Sequence, residues 1–200
     1  MIGRGLYGML DTGVLMDDDA VIDGARLLTR KGVRTIQLRA KQLDTRQRVT
    51  LGEKVLAQVA SGTCLFINDD VSAARALATK AQADVTVGVH LGQEDGPAPL
   101  DLPVGRSTHT LEQVRAATEV AYIGFGPVFG TQSKATAWTS RGVDALREAV
   151  RHARVLVVAI GGISVFNVHE VRAAGTHAWA VIGGVWRSDD PAAAIEALLR

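Results

Sequence analysis

The stretch LVVAIGGISVFNVHEVRAAGTHAWAVIGG, residues 156–184, holds two apolar runs around a mixed segment. The runs are LVVAIGG (156–162) and AWAVIGG (178–184), and the segment between them is NVHEVRAAG (167–175). Short runs that are apolar at consecutive positions fit strands buried on both faces, and the mixed segment has the pattern of an amphipathic helix. Gly175 stands where a left-handed residue ends such a helix. Strand, helix, strand over this length means two parallel strands joined by a crossover. Both runs finish in paired glycines, Gly161-Gly162 and Gly183-Gly184.

The same unit recurs towards the N-terminus. Further strands are expected at LYGMLD (6–11), TIQLRA (35–40), CLFIND (64–69), VGVHLG (87–92), VGRSTH (104–109) and AYIGFG (121–126). Helical patterns lie between most of them: 20–32, 49–62, 71–81, 111–120 and 143–153. A last helix opens on Pro191, whose missing N–H costs nothing at that position. Gly32 and Gly62 end helices as Gly175 does. The segment QEDGPAPLDLP (93–103) is too short and proline-rich for a full helix. Eight such strands imply an α/β fold, a single compact (β/α)8 TIM barrel over residues 1–200. The runner-up is a doubly wound open sheet. It is weakened because no Gly-x-Gly-x-x-Gly follows the first strand.

Composition narrows the function. The chain of 200 residues is 47% hydrophobic with a net charge of +1. That favours neither nucleic acid nor a membrane surface as partner, so any phosphate affinity must be local. No stretch approaches the ~18 apolar residues of a spanning helix, and the N-terminal residues lack the pattern of a secretory signal. Cys64 is the single cysteine, which excludes an internal disulfide and fits a reducing compartment. A cytoplasmic protein is expected. Trp179 and Trp186 are expected in the core or between copies of the chain, which leaves a homo-oligomer open.

In a barrel of this type, functional groups collect at the C-terminal strand ends. Alternation puts Gln37, Arg39 and Lys41 on one face of the second strand and Ile36, Leu38 and Ala40 on the other. The first set reads as an anion clamp. The third strand ends in Asn68-Asp69-Asp70, more acceptors than one helix cap requires. The fourth ends in a second acidic cluster, Gln93-Glu94-Asp95. Carboxylates from neighbouring strand ends suit Mg²⁺, a hard ion that takes few protein oxygens and keeps water. Cations and acids together fit a metal-bound diphosphate. Ser107 offers a hydroxyl, whereas Thr110 is expected to cap a helix. His90 and His109 are read as structural. Gly124 and Gly126 leave room for a ligand, and the loop beyond carries Thr131, Ser133 and Lys134. The paired glycines after strands seven and eight mark a second, backbone-built anion site.

In order and spacing, QLRAK (37–41), NDD (68–70), VHLGQED (89–95), STHT (107–110), YIGFGPVF (122–129), TQSK (131–134), AIGGI (159–163) and AVIGG (180–184) resemble the thiamine-phosphate synthase (thiamine phosphate pyrophosphorylase) family. The resemblance touches every strand end but the first. It implies a barrel that joins 4-amino-2-methyl-5-hydroxymethylpyrimidine diphosphate to 4-methyl-5-(2-phosphoethyl)thiazole, releasing diphosphate by a dissociative substitution. It implies that Gln37, Leu38, Arg39, Ala40, Lys41, Asn68, Ser107 and Lys134 hold the pyrimidine diphosphate. Among these, Arg39, Lys41 and Lys134 would be the catalytic cations. Asp69 and Asp95 would hold Mg²⁺. Thr131, Gln132, Ser133, Gly162, Ile182 and Gly183 would hold the thiazole phosphate. A sister family, the thiazole tautomerases, usually lacks the acidic cluster and carries His where this chain has Pro127. The chain departs from the synthase pattern at Gly130, usually Pro, at Ser133, usually Thr, and at Gly183, usually Ser.

Overall fold

The computed structural model describes residues 2–130 and 139–200. Thr131, Gln132, Ser133, Lys134 and Trp138 lie outside the described residues. The strands are β1 (Gly5–Asp11), β2 (Thr35–Arg39), β3 (Cys64–Asn68), β4 (Thr86–Leu91), β5 (Val104–Thr108), β6 (Tyr122–Phe125), β7 (Leu156–Ile160) and β8 (Ala178–Val181). They pair in sequence order, all parallel, and β8 returns to β1 to close a barrel. The helices are α1 (Asp18–Arg30), α2 (Thr45–Leu56), α3 (Val71–Ala78), α4 (Leu111–Ala116), α5 (Gly142–His152), α6 (Val168–Ala173), α7 (Gly183–Trp186) and α8 (Pro191–Leu199). As expected, β4 connects to β5 without a helix. Among the described residues no helix is long and apolar enough to cross a membrane.

Two apolar layers follow from strand alternation. Outward residues such as Leu10, Ile36, Leu38, Leu65, Ile67, Val89 and Ile123 pack under the helices, against Val21, Leu28, Leu51, Leu77, Leu146 and Ile195. Each such side chain stabilises the fold by about 1.5–3 kcal/mol when fully buried. Inward residues form a second cluster that includes Tyr7, Met9, Cys64, Phe66, Tyr122, Val158 and Ala180. Three of its rings meet edge to face or tilted, with Phe66 and Tyr122 centroids 5.0 Å apart and Tyr7 and Tyr122 5.6 Å apart. Neighbouring strands give way to them. A Cβ on Gly105 would fall 2.1 Å from Tyr122 Cζ, and one on Gly88 would fall 2.6 Å from Phe66 Cε1.

Local signals in the sequence match the elements they start or stop. Asp190 caps α8 ahead of Pro191. Thr110 and Gln113 form a reciprocal capping box on α4. Gly32 and Gly175 take positive φ, 83° and 84°. Gly62 does too, at 76°, but α2 does not reach it. That helix was expected to span 49–62 and instead ends at Leu56, with Val59 turned into the core. Trp179 is buried, and Trp186 is half-buried with its Nε1 donating to the Met9 carbonyl at 2.5 Å.

Gly105→Ala should destabilise the fold by about 1–3 kcal/mol, because the new methyl overpacks the interior against Tyr122. A Cβ on Gly130 meets nothing within 4 Å among the described residues, and Gly130→Ala should stay within about 0.5 kcal/mol of the parent. Urea unfolding of both variants checks the contrast.

Candidate active site

The aromatic layer is the floor of a cavity of about 320 Å³ that opens at the C-terminal strand ends. Gln37, His90, Ser107 and Gly124 line one side, and Gly161, Gly162, Ile182, Gly183 and Arg187 line the other. Substitution at the glycine turns is blocked on steric grounds. A Cβ on Gly161 would fall 2.5 Å from Pro127 Cα, and one on Gly162 would fall 2.4 Å from the Gly130 carbonyl oxygen. Bare backbone therefore faces the cavity there, next to the start of the short helix α7. This is where the fold commonly takes a phosphate.

The expected clamp on β2 is partly as alternation implies. Gln37 is buried and its Nε2 donates to Tyr7 Oη at 3.1 Å. Leu38 and Ala40 point outward into the helix-packed core, so only their backbone faces this region. Arg39 does not stand alone. Its Nη1 bonds Asp11 Oδ2 at 2.6 Å, and Asp11 is nearly fully buried at the end of β1. Asp11 Oδ1 in turn accepts from Gly13 N at 2.8 Å. Arg39 Nε is buried and has no hydrogen-bond partner among the described residues. A held guanidinium with a spare N–H suits an anion, because a buried donor left unmatched is costly. Lys41 Nζ lies 3.3 Å from Asp69 Oδ2.

At the end of β3 the three acceptors have separate jobs. Asn68 is buried and in register with His90 of β4. Asp70 is the N-cap of α3, accepting from Ala73 N at 2.8 Å. Its other oxygen accepts from Arg48 Nη1 and Thr45 Oγ1, both at 2.9 Å. Arg48 also donates to the Ala40 carbonyl at 3.0 Å, which ties the end of β2 to the end of β3. Burial pushes the Asp70 carboxyl pKa up, but the Ala73 amide, Arg48 and Thr45 outweigh it and hold the pKa below the ordinary range.

Asp69 is neither cap nor core. Its φ is 60°, the one positive value at a non-glycine among the described residues. Backbone in that region costs free energy and gathers at functional sites. Burial raises the Asp69 carboxyl pKa, Lys41 pulls it down, and the Asp95 carboxyl beside it pushes it up again, for a net rise. Asp95 lies past β4, not at the strand end as expected, in a loop that is pinned from several sides. Its Oδ2 accepts from Gly92 N at 2.5 Å. Arg106 of β5 donates to the Gly92 and Gly96 carbonyls at 2.7 and 2.8 Å, and Gln93 donates to the Ser107 carbonyl. Two carboxyls forced together in this way are relieved by a cation. No three His, Cys, Asp or Glu side chains converge among the described residues. An ion held by this pair would take the rest of its shell from water and substrate, which is how Mg²⁺ is bound and structural Zn²⁺ is not.

Several residues in or beside the cavity escaped the sequence reading. Asp11 and Arg187 had no motif around them. His90 and His109, read as structural, both line the cavity. His90 bonds Tyr122 Oη through Nδ1 at 2.8 Å and Ser107 Oγ through Nε2 at 2.9 Å. His109 Nδ1 donates to the Gly126 carbonyl at 2.6 Å. For His90 the available signal was an inward glycine two residues before a polar group, Gly88 before His90 on β4 as Gly105 before Ser107 on β5.

Known proteins share this chain's sequence pattern and fold. The family profile described as thiamine monophosphate synthase matches residues 6–185. A thiamine-phosphate synthase of Anaeromyxobacter dehalogenans is 38% identical, over 85% of this chain and 78% of its own length. One from Roseiflexus castenholzii is 36% identical over 98% and 87%. The solved structure of a thiamine phosphate pyrophosphorylase from Pyrococcus furiosus superposes with a TM-score of 0.81 at 30% identity, covering 98% of this chain and 93% of that one.

Asp70→Asn should cost on the order of 2 kcal/mol at neutral pH, since the Arg48 bond loses its charge. The Asp70 pKa is lowered in the folded chain. Its contribution is therefore complete above the unfolded carboxylate pKa of about 3.9 and is lost as pH falls through the folded value. Urea midpoints of parent and variant should differ at neutral pH and draw together only as pH falls below the folded Asp70 value.

Proposed function

The chain belongs to the thiamine monophosphate synthase family and is a transferase of thiamine biosynthesis; on that premise we propose that it joins 4-amino-2-methyl-5-hydroxymethylpyrimidine diphosphate to 4-methyl-5-(2-phosphoethyl)thiazole, releasing diphosphate. The observation that carries the reading is the meeting of Lys41, Asp69 and Asp95 just past the ends of β2, β3 and β4, with the Asp11-held Arg39 at the end of β2, at the same end of the barrel as the cavity though outside its lining.

In this reading the diphosphate lies at the charged rim. Arg39, Lys41 and Lys134 neutralise the oxygens that gain charge as the bond to the pyrimidine methylene breaks. Asp69 and Asp95 would hold Mg²⁺, which when bound would add Lewis-acid stabilisation of that same charge. Gln37, with the 38–41 backbone, Asn68 and Ser107, orients the pyrimidine. Gly162, Ile182 and Gly183 bind the thiazole phosphate through backbone N–H groups, and Arg187 adds positive charge there. Thr131, Gln132 and Ser133 are assigned to the same phosphate by the family resemblance. The apolar floor excludes water from the cation formed at the methylene carbon. The thiazole nitrogen attacks that carbon, so no protein nucleophile is required, and holding both rings in one cavity supplies the proximity. Small diffusible substrates suit a cytoplasmic enzyme.

A product assay with each substrate omitted in turn, with and without EDTA, tests the reading. Product should need both substrates and vanish in EDTA. Asp69→Ala and Asp95→Ala should each lose at least about 100-fold in kcat/KM while melting cooperatively. Activity that survives EDTA and needs no pyrimidine would point to a metal-free isomerase instead. Ligand-induced thermal stabilisation without product would point to a binding barrel.

A further inference from the structure

One hydrogen-bonded chain crosses the cavity floor and joins two of the residues assigned to the pyrimidine. Gln37 Nε2 donates to Tyr7 Oη at 3.1 Å. Tyr7 Oη and Tyr122 Oη are 2.7 Å apart. Tyr122 Oη and His90 Nδ1 are 2.8 Å apart, and His90 Nε2 and Ser107 Oγ 2.9 Å. The five residues come from five strands: β2, β1, β6, β4 and β5. Tyr7 and Tyr122 are buried, and burial raises both phenol pKa values well above the ordinary range, so each keeps its proton.

A phenol has one proton to give, and a neutral imidazole has one N–H and one lone pair. These rules set the direction of the chain. Tyr7 accepts from Gln37 and gives its proton to Tyr122. Tyr122 then gives its own proton to His90 Nδ1. His90 carries its proton on Nε2 and gives it to Ser107. Ser107 must point its hydroxyl hydrogen elsewhere, and it lines the cavity. At the other end the Gln37 amide has two N–H groups, one of which goes to Tyr7, and its side chain also hydrogen-bonds Tyr122, so its carbonyl oxygen is the group left to meet a ligand. One end of the chain accepts and the other donates.

We propose that Tyr7, Tyr122 and His90 are positioning residues whose one-way chain makes Gln37 an acceptor and Ser107 a donor, and so selects an aminopyrimidine over its oxo counterpart. This rests on the function proposed above. An aminopyrimidine offers an amino donor and ring-nitrogen acceptors. The oxo analogue exchanges these, with an acceptor oxygen beside a ring N–H. A chain running the other way would match the oxo compound and would need every member to reverse, including the amide of Gln37. None of the three positioning residues has to touch the reacting atoms.

The test compares kcat/KM for the aminopyrimidine diphosphate with that for the same compound carrying oxo in place of amino. Parent, Tyr7→Phe and Tyr122→Phe are measured, because phenylalanine keeps the ring that fits against Gly105 and removes only the oxygen. The parent should favour the amino substrate. Both variants should melt cooperatively and lose at least about tenfold of that preference, the worth of roughly one hydrogen bond. Nitrogen chemical shifts of His90 should show the proton on Nε2 in the parent and a mixture of tautomers in Tyr122→Phe. Preference unchanged in both variants, or a His90 proton on Nδ1 in the parent, overturns the inference. No turnover of the aminopyrimidine by the parent overturns the proposed function instead.

Discussion

The closure of eight strands leaves an interior too narrow for a large side chain on every strand at one height. Tyr7, Phe66 and Tyr122 take that space, and Gly88 and Gly105 give it up. This exchange sets the level of the cavity floor. Above it, inward positions switch from apolar to polar: Gln37 on β2, His90 on β4 and Ser107 on β5. The phenol oxygens lie at the boundary, and their hydrogen bonds cross the barrel where it would otherwise be dry. The floor thus fills the core and orients the polar groups above it.

Charge is arranged around the rim on the same logic. Buried charges are tolerated when paired and hydrogen-bonded. Asp11 holds Arg39, and Arg48 holds Asp70. These pairs leave two things unresolved among the described residues: the spare Nε–H of Arg39 and the crowding of Asp69 against Asp95. An anion answers the first and a cation the second. The metal–diphosphate proposed above would supply both and would offset the cost of the strained backbone at Asp69.

Much of this was legible in the residues. The strand–helix periodicity, the helix-free link before β5, the cap at Thr110 and the surplus of acceptors after β3 each have a local cause that a sequence displays. That one of Asn68, Asp69 and Asp70 would cap the next helix was legible too, and Asp70 does so. What escaped depends on contacts between distant strands. Tyr7 and Tyr122 are 115 residues apart, and Asp11 and Arg39 28. A tyrosine in an apolar run reads as packing, and an aspartate ending a first strand reads as a boundary. Arg106 faces outward and acts on the loop that carries Asp95, a role with no periodic signature. The length of α2 was over-read because its helical pattern continues past the point where Val59 turns inward.

The central claim is that Asp69 and Asp95 bind Mg²⁺ together with a diphosphate. Calorimetric titration of inorganic diphosphate into the parent and into Asp69→Asn, with and without Mg²⁺, tests it most directly. Asparagine keeps the shape and tolerates positive φ. Mg²⁺ should tighten diphosphate binding to the parent and have no such effect on the variant, while the Mg²⁺-free affinities stay comparable or favour the variant. An equal Mg²⁺-dependent gain in both proteins would contradict the account.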